Sequence, residues 1–150
     1  MKIKVLILFI TILSQNLFAE SKIDLEQLIK PKRFESIDWY NVDSFTVYHK
    51  ALGKETSRDG NNYYYEVNKI KYPISIHKKD KSDRIQKIYF RLIGKNIIYN
   101  QVQSYLKSNG YQKEKSRPEQ EYQFFINTKK KIKLKFSKID LTLYSVEKWF

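Results

Sequence analysis

Arg84 to Gly110 reads RIQKIYFRLIGKNIIYNQVQSYLKSNG. Its first part alternates: Ile88, Phe90 and Leu92 fall on one side of an extended chain, Tyr89 and Arg91 on the other. Gly94 interrupts the alternation. Asn96 then stands where a helix N-cap accepts from the free amides of the first turn. Ile98, Val102, Tyr105 and Leu106 follow at i, i+4, i+7 and i+8, the apolar stripe of a helix. Gly110 sits where a helix ends in a left-handed residue. The stretch is a strand, a glycine-containing turn and a helix. It also marks a seam, because a helix-then-strands pattern leads into it and the same pattern begins again within it.

Upstream, DSFTVYHKAL from Asp43 to Leu52 predicts a helix. Asp43 or Ser44 caps it, and Phe45, Tyr48 and Leu52 share a face with Ala51 beside them. Gly53 closes it. TSRDGNN, residues 56–62, is a loop by its turn residues. Three strands follow. Tyr63, Tyr65 and Val67 share a face in Asn62 to Val67. Tyr72, Ile74 and Ile76 share one in Lys71 to Lys78, where Pro73 calls for either an edge position or a bulge. KKDKSD turns the chain into the strand at Arg84. Spacing of apolar residues by two makes these half-buried antiparallel strands.

Downstream, EKSRPEQ is a polar loop. A strand then carries Tyr122, Phe124 and Ile126 inward, and Asn127 to Lys130 turns. Ile132, Leu134 and Phe136 alternate with Lys131, Lys133 and Lys135. After a turn near Lys138 a last strand places Ile139, Leu141 and Leu143 on one face, with Val146, Trp149 and Phe150 docking on the core. Before all of this, Ser21 to Ile29 forms a short helix that Pro31 ends, and Trp39 and Tyr40 plug a core edge.

The expected fold is α+β: two tandem helix–antiparallel-sheet units, helix-β-β-β twice, with the helices packed on one face of the sheet. The units span 43–95 and 96–150, after an N-terminal helix and connector at 20–42. The repeat rests on pattern. HKALG at 49–53 matches YLKSNG at 105–110, YYYEVNK at 63–69 matches YQFFINTK at 122–129, and YPISIHKKD at 72–80 matches IKLKFSKID at 132–140. The third strands are IQKIYFRL at 85–92 and LTLYSV at 141–146. Two unrelated units of the same kind would give the same pattern.

Three segments, ALGKE after the first helix, the aromatic strand YYYEV and DKSDRIQKIYF leading into the third strand, carry a resemblance. The chain from Val42 to Phe150 resembles the β-lactamase inhibitory protein family and the small lipoprotein of the outer-membrane β-barrel assembly machine. The resemblance implies helices followed by three or four antiparallel strands, in tandem in the inhibitor. With no cysteine in the chain, the lipoprotein's acylated residue and the inhibitor's disulfides have no counterpart, so their specific partners do not carry over.

The first nineteen residues have the layout of a secretory signal peptide. Lys2 and Lys4 precede the apolar run Val5 to Leu13, and a more polar stretch ends at Ala19, the expected cleavage point. The apolar run is short of the roughly 20 residues that span a bilayer, so no transmembrane segment is expected after cleavage. An uncleaved amphipathic anchor is the rival reading. The expected location is periplasmic or secreted. The chain has 150 residues, 29 of them Lys or Arg against 16 Asp or Glu, for a net +13. Loss of Lys2 and Lys4 leaves 27 against 16, a net +11. Such a field draws anionic partners. Export points away from nucleic acid and toward anionic lipid, lipopolysaccharide, cell-wall polymer or an acidic envelope protein. The same lysines also serve solubility, and a Lys- and Ile-rich composition also follows from an AT-rich genome.

No nucleophile or metalloprotease motif occurs. His49 and His77 are the only histidines, and neither has a motif beside it. Glu55 with Asp59 is the nearest approach to a carboxylate pair, Asp80 and Asp83 flank a turn, and SRDGNN offers too few oxygens for a calcium loop. The chain is expected to be no enzyme and to hold no cofactor or metal. The alternation instead points to an open sheet face carrying Tyr64, Tyr89, Arg91, Phe125, Lys131, Lys133, Lys135 and Tyr144. Aromatics with arginine are what protein-binding surfaces are rich in. Two readings follow. The first is an exported binding protein (inhibitor, immunity factor or assembly accessory) that holds an envelope protein. The second binds anionic lipid or polymer through Lys129, Lys130, Lys131, Lys133 and Lys135. The plain alternative is that helices cover part of this face and the lysines protect an edge strand.

Overall fold

A computed structural model describes residues 24–67, 69–93, 95–115 and 117–150, with the backbone alone described at 67 and 70–72. The signal-peptide reading falls outside these residues. Among the described residues, three α-helices, a 3-10 turn and eight strands follow in the order α1 (Leu25–Ile29), the 3-10 turn (Lys32–Phe34), α2 (Phe45–Leu52), β1 (Ser57–Asp59), β2 (Asn62–Val67), β3 (Ile70–Lys78), β4 (Ile85–Arg91), α3 (Tyr99–Ser108), β5 (Gln112–Lys113), β6 (Tyr122–Asn127), β7 (Ile132–Ser137) and β8 (Leu143–Trp149). The fold is α+β. The eight strands make one continuous antiparallel sheet in the order β1-β2-β3-β4-β8-β7-β6-β5.

Each helix has a local cause. The Asp24 carboxylate accepts from the amides of Glu26 and Gln27 and caps α1. Ser44 caps α2 through the Val47 amide. Gly53 ends α2 at φ 84° and Gly110 follows α3 at φ 77°, values that favour a residue without a side chain. Asn96 caps nothing. α3 begins after Ile98, which has no side-chain cap bond, and the Tyr99 amide is satisfied instead by the Leu141 carbonyl at 2.8 Å. That bond comes from the far end of the second half, where no local pattern reaches.

The same joint occurs twice. Ser44 bridges Arg84, and Ile98 bridges Thr142. Around the first, Phe45 N–H donates to the Asp83 carbonyl (2.6 Å) and Ile85 N–H to the Asp43 carbonyl (2.7 Å). Around the second, Tyr99 N–H donates to Leu141 and Leu143 N–H to Ile97, both at 2.8 Å. In each half the residue before the helix is thus sewn to the residue before the last strand.

Two short strands went unread in the sequence. β1 lies within TSRDGNN and pairs with β2 across a Gly60–Asn61 turn, with Gly60 at φ 55°. β5 pairs with β6 through two residues. They form the sheet's outer edges, and short edges limit unwanted pairing. Pro73 lies inside the sheet, not at an edge, and the β2–β3 register shifts between Tyr65 and Val67 beside it, the bulge that a residue with no N–H calls for. The last strand begins at Leu143. Ile139 and Leu141 belong to the preceding turn, Ile139 at 87 % exposure and Leu141 at φ 57°.

One sheet face forms the core. Tyr63 and Tyr65 lie beside Ile76 and Ile74, then Ile88 and Phe90, then Val146, then Leu134 and Phe125, all buried. Cross-strand partners share a face, so these residues form continuous rows. α2 reaches them through Phe45, whose ring centroid is 4.4 Å from that of Tyr63. α3 reaches them through Tyr99, stacked on Phe125 at 5.2 Å and edge-on to Phe136 at 5.7 Å. Trp39, 2 % exposed, lies 6.1 Å from Phe90, and Phe34 meets Tyr48 edge-on at 5.1 Å.

Candidate functional site

The alternate residues of the same strands line the second face. One row runs Tyr64, Ser75, Tyr89, Glu147, Lys133, Ile126. A neighbouring row runs Arg91, Ser145, Lys135, Phe124. Most of these side chains are partly or wholly exposed, and Ser145 is buried. β8 bulges where its pairing with β7 shifts between Lys135 and Phe136. The extra residue there brings Tyr144 to this face, as its ring contacts show.

Those contacts form a ladder of cations and rings. The Arg91 guanidinium lies 4.5 Å from the Tyr144 ring centroid. The Lys135 ammonium lies 4.9 Å from the same centroid and 3.6 Å from that of Tyr122. Tyr122 and Tyr144 are 5.2 Å apart. Lys133 sits 4.4 Å over Phe124 and also pairs with Glu114 at 2.9 Å. Each cation–ring contact is worth about 0.5–1 kcal/mol at an exposed site, enough to hold long side chains in place. Among the described residues neither Arg91 nor Lys135 has a carboxylate within 4.0 Å. Partial burial, with Arg91 alongside, holds the Lys135 ammonium below the ordinary lysine range. Two like charges are therefore kept together over one ring, with no ion pair at either among the described residues, and Glu121 acts on Lys135 only from farther away.

Of the residues that the sequence pointed to, Tyr64, Tyr89, Arg91, Lys133, Lys135 and Tyr144 lie on this face. Phe125 does not: it is 6 % exposed and belongs to the core. The β6 phase is the reverse of the expected one, with Phe125 inward and Tyr122 and Phe124 outward. YQFFIN is apolar on both sides, so its own alternation is ambiguous. The turn decides, because Asn127 pairs with buried Ile132. Asn127 itself is buried, donating to the Asn109 carbonyl at 2.7 Å and accepting from the Lys130 amide at 2.9 Å. Lys131 is also misplaced. It lies in the turn at φ 53°, and its carbonyl accepts from the Trp149 amide at 3.0 Å.

The lysine run does not act as one stripe. Lys130 is committed to Glu26, which also accepts from the Tyr40 hydroxyl, and this cluster ties α1 to the β6–β7 turn. Nor do the lysines guard an edge, since β7 lies between β6 and β8. Sequence reading missed Tyr122, Phe124 and Trp149 on this face. Trp149 pairs across from Lys87, which in turn meets Glu147 at 3.3 Å. Strict alternation back from Val146 was the available signal for Trp149.

The histidines have fixed partners. His49 Nδ1 is 2.8 Å from the Tyr65 hydroxyl, and its Nε2 is 3.9 Å from a Glu55 oxygen. Tyr65 is 1 % exposed, and burial raises its hydroxyl well above the usual tyrosine value, so it remains a neutral phenol. A buried phenol suits orientation, not nucleophilic attack. His77 Nδ1 meets the Asn62 side-chain oxygen at 2.7 Å, joining neighbouring strands. Among the described residues no three or more His, Cys, Asp or Glu side chains come together as a metal site.

Compared with protein-family models, curated proteins and solved structures, the chain matches none. Among the described residues no helix is long and apolar enough to cross a membrane.

Proposed function

We propose that this chain is an exported, non-enzymatic binding protein that holds another protein of the cell envelope against its second sheet face, as an inhibitor, immunity factor or assembly accessory. The observation that carries this reading is the Arg91–Tyr144–Lys135–Tyr122 ladder, two cations stacked on aromatic rings with no carboxylate within ion-pair distance among the described residues. Pre-stacked aromatics and arginine lose little side-chain entropy on binding and are the residue types in which interface hot spots are richest. The preferred partner surface is acidic: a carboxylate between Arg91 and Lys135 relieves their repulsion. Tyr64, Tyr89 and Trp149 extend the contact across β2, β4 and β8.

The tandem organisation belongs to the same proposal. A helix followed by a strand meander occurs on either side of the β4–β8 pair, and the Ser44–Arg84 and Ile98–Thr142 bridges recur at matching places. These support two duplicated units around an approximate two-fold axis, with the helices over one face, and they fit the resemblance to the inhibitor family. Export rests on the N-terminal pattern Lys2, Lys4, Val5 to Leu13 and Ala19.

The test is capture from an envelope extract by the purified chain and by its Arg91→Gln/Tyr144→Ala variant. A partner retained by the first and lost by the second, with both proteins melting alike, is the expected result. Equal capture by the two removes this face from consideration. The alternative, binding of anionic lipid or polymer, is favoured by the net charge of +13. It predicts binding to anionic vesicles that disappears as salt shortens the screening length.

A further inference from the structure

The N-terminal segment and one end of the sheet enclose a cleft of about 240 Å³ that the sheet-face reading does not use. Ile29 and Pro31 wall it on one side, and Ile74, Phe90 and Leu92 on the other. Among the described residues its charged lining is Lys32, Arg33, Arg91 and Lys95, with no acidic residue. Two of these cations are already positioned. Arg33 donates one N–H to the Leu52 carbonyl at 2.8 Å, which leaves further donors on the same fork. Lys95 donates to the Leu28 carbonyl. All four are exposed.

We infer that this cleft binds a single-chain anionic amphiphile, a medium-chain monocarboxylate, with the alkyl chain on the apolar floor and the carboxylate at the cationic rim. The volume lies just under the roughly 300–1,000 Å³ of pockets for drug-sized ligands. That suits one unbranched chain and is small for a ring system or a two-chain lipid. Charge complementarity sets the head group. Lys32, Arg33, Arg91 and Lys95 line an apolar space that has no acidic residue among its described lining. Charge-assisted bonds from a guanidinium and ammonium groups to a carboxylate are the strong ones. The cleft shares Arg91 with the sheet-face ladder, whereas Lys32 and Ile93 line the cleft alone, so variants at these two test the cleft without touching the ladder.

Trp39 supplies a reporter, since its ring lies 6.1 Å from that of Phe90 in the cleft wall. The experiment titrates decanoate, below its micelle concentration, into the purified chain by calorimetry. It then titrates a terminally brominated decanoate into the Trp149→Phe variant, in which Trp39 is the remaining tryptophan, and follows fluorescence quenching. Saturable binding with quenching is expected, weakened about tenfold by Lys32→Glu and by Ile93→Asp, each of which sets a negative charge against the head group. Ile93 is 44 % exposed and Lys32 is exposed, so both variants retain the fold. Absence of saturable binding overturns the inference. So does equal binding of decyltrimethylammonium, which marks an unselective apolar hole, or undiminished affinity in both variants.

Discussion

Arg91 on β4 and Lys135 on β7 are not hydrogen-bonded strand neighbours, yet they stack on the same ring, that of Tyr144 on the strand between them. Each raises the electrostatic cost of the other. Arg91→Gln is therefore expected to move the Lys135 ammonium back toward the ordinary value of 10.5, though not all the way, because burial is the larger cause of its depression. Side-chain NMR titration of Lys135 in both proteins measures this. An unchanged midpoint refutes the coupling.

Phe124 and Phe125 test the phase of β6. Phe125→Ala empties a core position stacked on Tyr99 and edge-on to Phe136 and is expected to cost about 3–5 kcal/mol. Phe124→Ala removes a half-exposed ring under Lys133 and is expected to cost about 1 kcal/mol or less. Urea unfolding of the two variants decides it, and the reverse ranking returns the strand to the opposite face.

Lys148 is 1 % exposed, pairs across β4 and β7 with Ile88 and Ile132, and donates to the Trp149 carbonyl at 2.5 Å, with no carboxylate partner among the described residues. Desolvation, with Lys131 nearby, lowers it to about 8. Below about pH 8 the ammonium is charged in both folded and unfolded chains. Above that the folded chain sheds its proton first, so the unfolded state binds more protons and stability rises with pH. The rise ends near pH 10, where tyrosines with folded values raised by burial, Tyr48 and Tyr65 among them, begin to ionise in the unfolded chain and oppose it. Lys148→Met is expected to add about 1–3 kcal/mol at pH 7 and to remove the rise between pH 8 and 10. Denaturant melts across that range measure both.

Asp83 fastens α2 to the β3–β4 turn. Its carboxylate accepts from the Ser44 hydroxyl (2.5 Å), the Thr46 amide (2.9 Å) and the Thr46 hydroxyl (2.6 Å), and these bonds depress it below 3.8. A depressed carboxylate contributes stability above its unfolded value, and that contribution fades as pH falls through the folded value. Asp83→Asn is expected to lower the melting temperature at pH 7 while narrowing the difference from the unaltered chain toward pH 3. A difference that stays constant with pH rules out the carboxylate as the fastening group.

Alternation and helical spacing by themselves determined α2, β2, β7 and the inward rows Ile74–Ile76, Ile88–Phe90 and Ile132–Leu134–Phe136. In those segments one side of the strand is apolar and the other is not, so the chain's own residues leave one way to bury it. Six of the eight surface positions followed from the same alternation. YQFFIN offered two apolar sides, and only its hairpin with β7 chose between them. Asn127 read as the start of a turn and nothing local marked Lys148, and only tertiary contacts put both inside. The union of both halves into a single sheet through β4 and β8, the ladder on Tyr144 and the cleft against the N-terminal segment all depend on contacts between residues far apart in the chain. Local periodicity records which side of a strand seeks the core. Which strand lies beside it is fixed by long-range backbone hydrogen bonds, whose donors and acceptors are the same at every residue and so leave no mark in the sequence.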